Sequence, residues 1–285
     1  MIAVNNDMQA EPYSLSVTKL CQLLGVPRST VYYQPRRSKP PKVDGFLANL
    51  IYEIIQAFPT FGVRRVWAYL RFRLDYKANI KAVARLMRMN HWTLNKRRKG
   101  GRPRVGVKRS VTEKPDQRWA TDLAMVFCGP RDGWCTFVPV VDCCTRELLG
   151  WELDRSARAK TAQRALEAAL LNRFGYVRGA PPGLALRHDN GLVFGSKRYR
   201  ATASDYKLRQ EFITPYTPEE NGLCERLIRS FKEECVWQNN FQDIGHARRV
   251  IGRWVRWYNT DRPHQALDYR TPNEQAEAFK PKAAA

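Results

Sequence analysis

The sequence predicts an α/β sheet domain preceded by basic, all-helical segments. Three observations carry that prediction. Apolar residues recur at helical spacing as far as Thr93; short, alternating apolar runs take over at Gln117; and from Lys160 onward helical and strand patterns alternate.

In the first segment, SLSVTKLCQLLGVPRSTVYYQ sets Leu15, Val17, Leu20, Leu23 and Leu24 at helical spacing. Gly25 interrupts the pattern and Pro27 starts a second short helix. Helix, Gly-containing turn, helix is the outline of a helix-turn-helix, expected over residues 1–40, with Arg28, Ser29, Thr30 and Tyr32 as polar readers of a groove. The ordinary alternative is two packed helices of a small bundle; the basic RRSK that follows favours DNA. Residues 41–95 form a second helical unit. There Val63, Val66, Trp67, Leu70 and Phe72 alternate with Arg64, Arg65, Arg71 and Arg73, and Asn79 caps NIKAVARLMRMN. This unit is either a further DNA-binding element, with Arg64 and Arg65 as contacts, or a basic bundle. A linker is expected over residues 96–115, because KRRKGGRPRVGVKRS holds eight Lys/Arg, three Gly and one Pro without an apolar period.

The sheet domain is expected over residues 116–240. QRWATDLAMVF, GWCTFVPVVD and ELLGWELD read as three strands, the first two joined through GPRDG. Lys160–Phe174 is an amphipathic helix, LALRHD a fourth strand, Ser196–Lys207 a helix, EFITPY a fifth strand and PEENGLCERLIRSFKEE a helix. The order implies an antiparallel start. Residues 241–285 extend the domain with helices at Asp243–Tyr258 and Pro272–Phe279, around the loop YNTDRPHQALDYRTP.

Composition narrows the function. Lys plus Arg is 49 against 27 Asp plus Glu, a net charge of +22, which calls for a polyanionic partner, nucleic acid first. No apolar run approaches the roughly 18 residues of a membrane span, and Met1–Leu20 does not resemble a signal peptide. Seven cysteines without framework spacing suggest reduced thiols in a cytoplasmic protein. Four scattered histidines argue against structural zinc.

Three acids stand out. Asp122 lies within an apolar strand, where a carboxylate needs a partner or a cation. Asp189 ends the fourth strand in RHDNG, and Glu225 lies in the first turns of the helix after the fifth strand. Sites in open α/β sheets form at the carboxyl ends of strands. Three carboxylates there suit hard cations such as Mg2+, and paired ions stabilise the attacking and leaving oxygens of a phosphodiester displacement. Taken singly, each acid has an ordinary reading: a buried salt bridge for Asp122, a turn residue for Asp189 and a solvated helix position for Glu225.

Together, QRWATD, RHDNG and TPEENGLCER resemble the acidic triad of the DDE transposase and retroviral-integrase superfamily. Residues 190–224, 35 in number, separate the second and third acids, the spacing typical of insertion-sequence transposases. PTFGVRRVWAYL, VVDCCTRE and YNTDRPHQALDYRTP are similar to the OrfB product of the third insertion-sequence family, and the likeness spans nearly the whole chain. Val63 and the Cys224-Glu225-Arg226 run depart from that pattern without touching a triad position.

The resemblance implies an RNase H-like catalytic core in which Asp122, Asp189 and Glu225 are both catalytic residues and ligands of two Mg2+, with Mn2+ as a substitute. It implies 3′-end cleavage and strand transfer at element ends by a copy-out route through a circular intermediate. The partners are double-stranded DNA (terminal inverted repeats and target), further copies of the chain in a synaptic complex, and an OrfA partner or fusion, in the nucleoid of a bacterial cytoplasm. Lys232, seven residues after Glu225, lies on the same helical face and reaches DNA; Arg229 is a further DNA contact, and Arg262, in the polar-aromatic loop Tyr258–His264, either braces the C-terminal helices or touches DNA near the scissile phosphate. Asn190 and Asn221 would orient the acids from behind. The other glutamates of the segment take ordinary places, Glu219 and Glu220 at the helix N-terminus and Glu233 and Glu234 at the surface. Asp142, with Arg146 four residues later, caps its turn or pairs locally, and His188 points to the opposite face from Asp189. Two rival functions remain open at this point: a non-catalytic DNA-binding regulator or domesticated remnant, and a ribonuclease H-type enzyme, which would have little use for the N-terminal helices.

Overall fold

Alternate residues of the central strands face two different cores, and this double burial sets the architecture. In the computed structural model, which describes residues 15–33, 44–94, 111–215 and 217–280, Trp119, Val138 and Val140 pack into one cluster while Ala120, Phe137 and Val141 pack into another. The basic run Lys96–Ser110 and the RRSK segment lie outside the described residues. The chain divides into two compact units, residues 1–44 and 45–285.

In the first unit, α1 (Val17–Leu24) is capped by the Ser16 hydroxyl, which accepts from the Lys19 amide. It ends at Gly25, which takes the left-handed conformation (φ 61°) that a side chain disfavours. A single turn follows, α2 (Arg28–Val31), with Arg28, Ser29 and Thr30 exposed and Val31 buried.

The second unit begins with three helices, α3 (Gly45–Ala57), α4 (Val63–Phe72) and α5 (Ile80–Met89), which share a core of Ile51, Val66, Leu70 and Met87. Asn79 caps α5 as expected, accepting from the Lys81 amide.

The sheet follows. β3 (Trp134–Asp142) pairs with β4 (Leu148–Asp154) along one edge and with both β1 (Arg118–Thr121) and β2 (Ala124–Phe127) along the other, all antiparallel. β1 and β2 are halves of the single strand expected from the sequence; Asp122 and Leu123 interrupt it, because the Asp122 carboxylate takes the Leu123 amide at 2.7 Å. On the other side β5 (Ala185–His188) runs parallel to β1, and β6 (Arg209–Phe212) parallel to β5. β6 starts two residues before the expected fifth strand, and Thr214 already donates its amide to Glu220 instead of to a ladder.

Helices cover both faces. α6 (Ala159–Phe174) packs on β3 and β4 over Leu166 and Leu170. It approaches β4 so closely at Gly150 that a Cβ there would lie 2.4 Å from the Ala169 nitrogen. Gly150→Ala is expected to cost about 1–3 kcal/mol, because backbone rather than a flexible side chain must move; a lower urea midpoint at unchanged slope would show it. A short helix, α7 (Leu192–Gly195), precedes the helix expected near Ser196–Lys207, which is present as α8 (Lys197–Asp205). On the opposite face lie α9 (Gly222–Glu234) and α10 (Ile244–Thr260), with Phe231 stacked on Phe137 at 4.2 Å between ring centres. A 3-10 turn, Pro218–Asn221, leads into α9. The Asn259 amide clamps β4, bonding both the N–H and the carbonyl of Leu148 at 3.0 Å. Trp257 stacks on Phe58 (5.2 Å), so the helical block shares side-chain packing with α10. α11 (Pro272–Glu277) ends the described chain behind a Thr271–Glu274 capping box.

This is a mixed sheet of the RNase H-like kind, with helical segments before and after it. Asp142 is wholly buried at the end of β3 and accepts from the amides of Asp116, Cys144 and Thr145, which is the turn-capping role expected of it. All seven cysteines are buried and free.

Candidate active site

The three singled-out acids lie on neighbouring elements. Asp122 follows β1, Asp189 follows β5, and β1 and β5 are adjacent parallel strands, so their carboxyl ends point the same way. Glu225 is exposed in the first turn of α9. Burial pushes the Asp122 carboxyl up to about 6, and the negative charges of Asp189 and Glu225 push in the same direction; the Leu123 amide and the Lys232 ammonium oppose them. The four groups therefore share one electrostatic site. Lys232 is half-buried two turns along α9 from Glu225.

Two buried cross-links hold the start of α9 against the strands. Asn221, 2% exposed, donates from Nδ2 to the Thr121 carbonyl at 3.2 Å, one residue before Asp122. Arg187, two residues before Asp189, donates to the Glu220 carbonyl at 2.8 Å and to Glu211 at 3.0 Å. Asp189 accepts from the Gly191 amide at 3.0 Å, so it keeps its turn role as well. His188 is fully buried on the other side, its Nδ1 donating to the Asp189 carbonyl and its Nε2 accepting from Gln210, which fixes a neutral ring. Asn190 does not reach an acid; it is exposed and bonds the Ile213 carbonyl.

Among the described residues, no three His, Cys, Asp or Glu side chains are gathered closely enough to hold a metal ion by themselves. The donor chemistry nevertheless fits a hard cation. Three carboxylates, one of them pushed up by burial and further by the charges of the other two, form a site that positive charge relieves, and Mg2+ keeps waters and substrate oxygens in its shell rather than a full protein cage.

The raised Asp122 value has a stability consequence with a definite sign. Below the ordinary 3.8 the carboxyl is protonated folded or unfolded and carries no penalty; the favourable contribution is lost as pH rises through about 6. In chelator, Asp122→Asn is expected to melt above the parent at pH 8 and together with it near pH 4. Equal melting at both pH values would contradict the coupling.

Several expected DNA contacts take other places. Arg262, 7% exposed, makes a bidentate ion pair with Glu234 (2.8 and 2.7 Å), and Arg65 meets the same carboxylate at 2.6 Å. Arg262 thereby braces its loop against α9, one of the two roles expected for it, and Arg65, with 31% of its side chain exposed, is tied to the same carboxylate; Glu234, with 3% of its side chain exposed, is corrected from a surface residue to the buried partner of both. Burial and the neighbouring Arg262 hold the Arg65 guanidinium below its ordinary value. Arg64 is exposed, with one 3.5 Å contact to Gln265, and Arg229 is exposed on α9.

Sequence reading missed Arg146 and Arg226. With Arg65, Arg229 and Arg262 they line a hollow of about 460 Å3 beside α9. Arg146 sits at positive φ (64°) in the β3–β4 turn, a conformation that no local sequence signal marked.

Comparison with known proteins places these features in a family. Residues 112–218 and 206–272 match models described as integrase core domain, and residues 43–100 match an HTH-like domain, the second helical block rather than the N-terminal pair. The chain is similar to the insertion element IS407 uncharacterized 31.7 kDa protein of Burkholderia multivorans, 31% identical over 270 residues that span 93% of this chain and 92% of that one. It is similar as well to the transposase InsD of insertion element IS2 from Escherichia coli, at 30% identity over 79% of this chain and 76% of that one. Among solved structures, the catalytic core domain of BIV integrase aligns with 57% of this chain and 95% of its own, at 16% identity and a TM-score of 0.43.

Proposed function

Because the chain belongs to the insertion-element transposases built on an integrase core, we propose that it cuts element-end DNA to a 3′ hydroxyl and joins that end to another strand. The observation that carries this reading is the electrostatic coupling of Asp122 with Asp189, Glu225 and Lys232 at the carboxyl ends of two parallel strands.

In this reading Asp122, Asp189 and Glu225 hold the divalent cations, Mg2+ or Mn2+. Such ions, when bound, polarise the phosphodiester and lower the pKa of the attacking water or hydroxyl. The chain's own residues do the rest. Lys232 holds a phosphate oxygen beside the acids as a point charge. Arg187 and Asn221 keep α9, and with it Glu225, in register with β1 and β5. Exposed Arg229 and Arg226 carry the adjoining DNA backbone along α9. No protein nucleophile is invoked. Residues 116–240 form the catalytic core and residues 241–285 its extension. Residues 1–40, with Arg28, Ser29 and Thr30, and residues 41–95, with Arg64, recognise the ends; residues 96–115 link them to the core. The working complex is multimeric, with an OrfA-type partner or fusion, on bacterial chromosomal DNA in the cytoplasm.

Labelled element-end DNA incubated with Mg2+ tests the reading. A nicked 3′-hydroxyl product followed by a joined product is expected. Tight binding of ends with no cutting, even with the upstream partner supplied, would favour a regulator instead. The backbone track has its own check. Arg226→Ala/Arg229→Ala should flatten the plot of log affinity against log salt by about 2, since each phosphate contact contributes about 0.9. Fluorescence anisotropy between 50 and 200 mM salt reads that slope.

A further inference from the structure

A groove of about 580 Å3 opens beside the acids, between the β2–β3 hairpin and the segment after α9. Its walls are aromatic and exposed. On β2 the residues facing away from the core are Met125 and Phe127, while Ala124 and Val126 are buried. Trp134, 61% exposed, pairs with Phe127 across the hairpin, with ring centres 5.6 Å apart, edge to face. Trp237, 57% exposed, stands on the 3-10 turn Val236–Gln238 that follows α9. Trp134, Phe127 and Met125 are exposed together on one surface, with the exposed Trp237 on the same groove, and such apolar clusters mark binding sites.

The charge of the groove says which partner. Its one ionisable wall residue among the described ones is Lys232, and no carboxylate lines it. Lys232 stands two turns along α9 from Glu225, and Met125 of the groove wall lies on the strand that follows Asp122, so the groove adjoins the acidic site. An apolar protein segment seated here would bury that charge without compensation, which is costly. A nucleotide brings its own phosphate to the lysine and a flat ring to the indoles. Exposed Asn240 at the rim supplies an amide donor and acceptor for a base edge.

We propose that this groove receives an unpaired nucleobase from the DNA end being processed, stacked on Trp134 or Trp237 with its phosphate at Lys232. The proposal rests on the DNA-cutting reading of the neighbouring acids. Opening a pair is cheapest where a base is already loosely held, as at a duplex end, and aromatic stacking repays it. Stacking tolerates any base, so the groove sets which phosphate reaches the acids rather than which sequence is read.

Photocrosslinking tests this with the full chain. The probe is a duplex carrying the element's terminal sequence, with 5-iododeoxyuridine placed in turn at each of its last positions. The protein is the Asp189→Asn variant, so that cutting does not intervene. A crosslink from one terminal position to Trp134, Trp237 or Phe127, located by peptide mass, is expected. Trp134→Ala/Trp237→Ala should weaken end binding about tenfold or more, with the salt slope and the melting temperature unchanged, because stacking releases no counterions. Crosslinks confined to other surfaces would overturn the proposal. So would a tryptophan variant whose end affinity is unchanged, or whose only defect is loss of self-association, which would assign the groove to a second copy of the chain. A parent protein that crosslinks here yet never cuts defeats the cutting reading and leaves this one standing.

Discussion

Asp189→Asn is expected to lower cutting and joining of element-end DNA by about a thousandfold or more while end binding stays intact or tightens. The magnitude follows from the several kcal/mol of charge stabilisation that a catalytic cation supplies, about 4 kcal/mol being three decades in rate. Asn keeps the size of Asp and an oxygen that can still accept the Gly191 amide, so the turn after β5 survives the change. What is lost is a negative charge in a site that three acids and Lys232 share. Removing that charge beside a phosphate also removes a repulsion, hence the intact or tighter binding. Gel analysis of labelled ends gives the rate and anisotropy gives the affinity. A variant that joins ends as fast as the parent would remove Asp189 from the chemistry, and the triad with it.

Glu234→Ala is expected to have the largest effect on stability, about 3–5 kcal/mol, the usual cost of breaking a buried ion pair by deleting one partner. The carboxylate answers both Arg262 and Arg65, so its loss strands two guanidiniums that face each other across the vacated position. At roughly 2–4 °C per kcal/mol for a chain of this size, the melting temperature should drop by about 10 °C. Glu234→Gln should recover part of the loss through hydrogen bonding. If the alanine variant melts with the parent, the Glu234 cluster contributes no net stability and the bracing role of Arg262 falls.

The kinds of element and their order were legible in the sequence, because they depend on local periodicity. Alternation at Trp119–Phe127, the helical stripe of Lys160–Phe174 and the caps at Ser16 and Asn79 all act within a few residues. Asp122, Asp189 and Glu225 were legible for a related reason: an acid in an apolar strand, one at a strand end and one at a helix start are anomalies or positions visible in one dimension. Even so, the break at Asp122 was not, since a carboxylate capturing the next amide looks the same in sequence as one projecting from an unbroken strand.

The arginines were where sequence reading failed. Arg64, Arg65, Arg229 and Arg262 are equivalent as letters in a basic chain, yet two are exposed and two are spent on Glu234, which lies 169 residues from Arg65 and 28 from Arg262. Arg146 and Arg226 joined the basic hollow only when the β3–β4 turn came to lie against α9. The sequence by itself determined which segments are helix or strand and which acids are anomalous, because local spacing and local burial decide both. Tertiary structure alone decided which charges face DNA and which face each other, because desolvation and pairing depend on neighbours that the chain brings together from far apart.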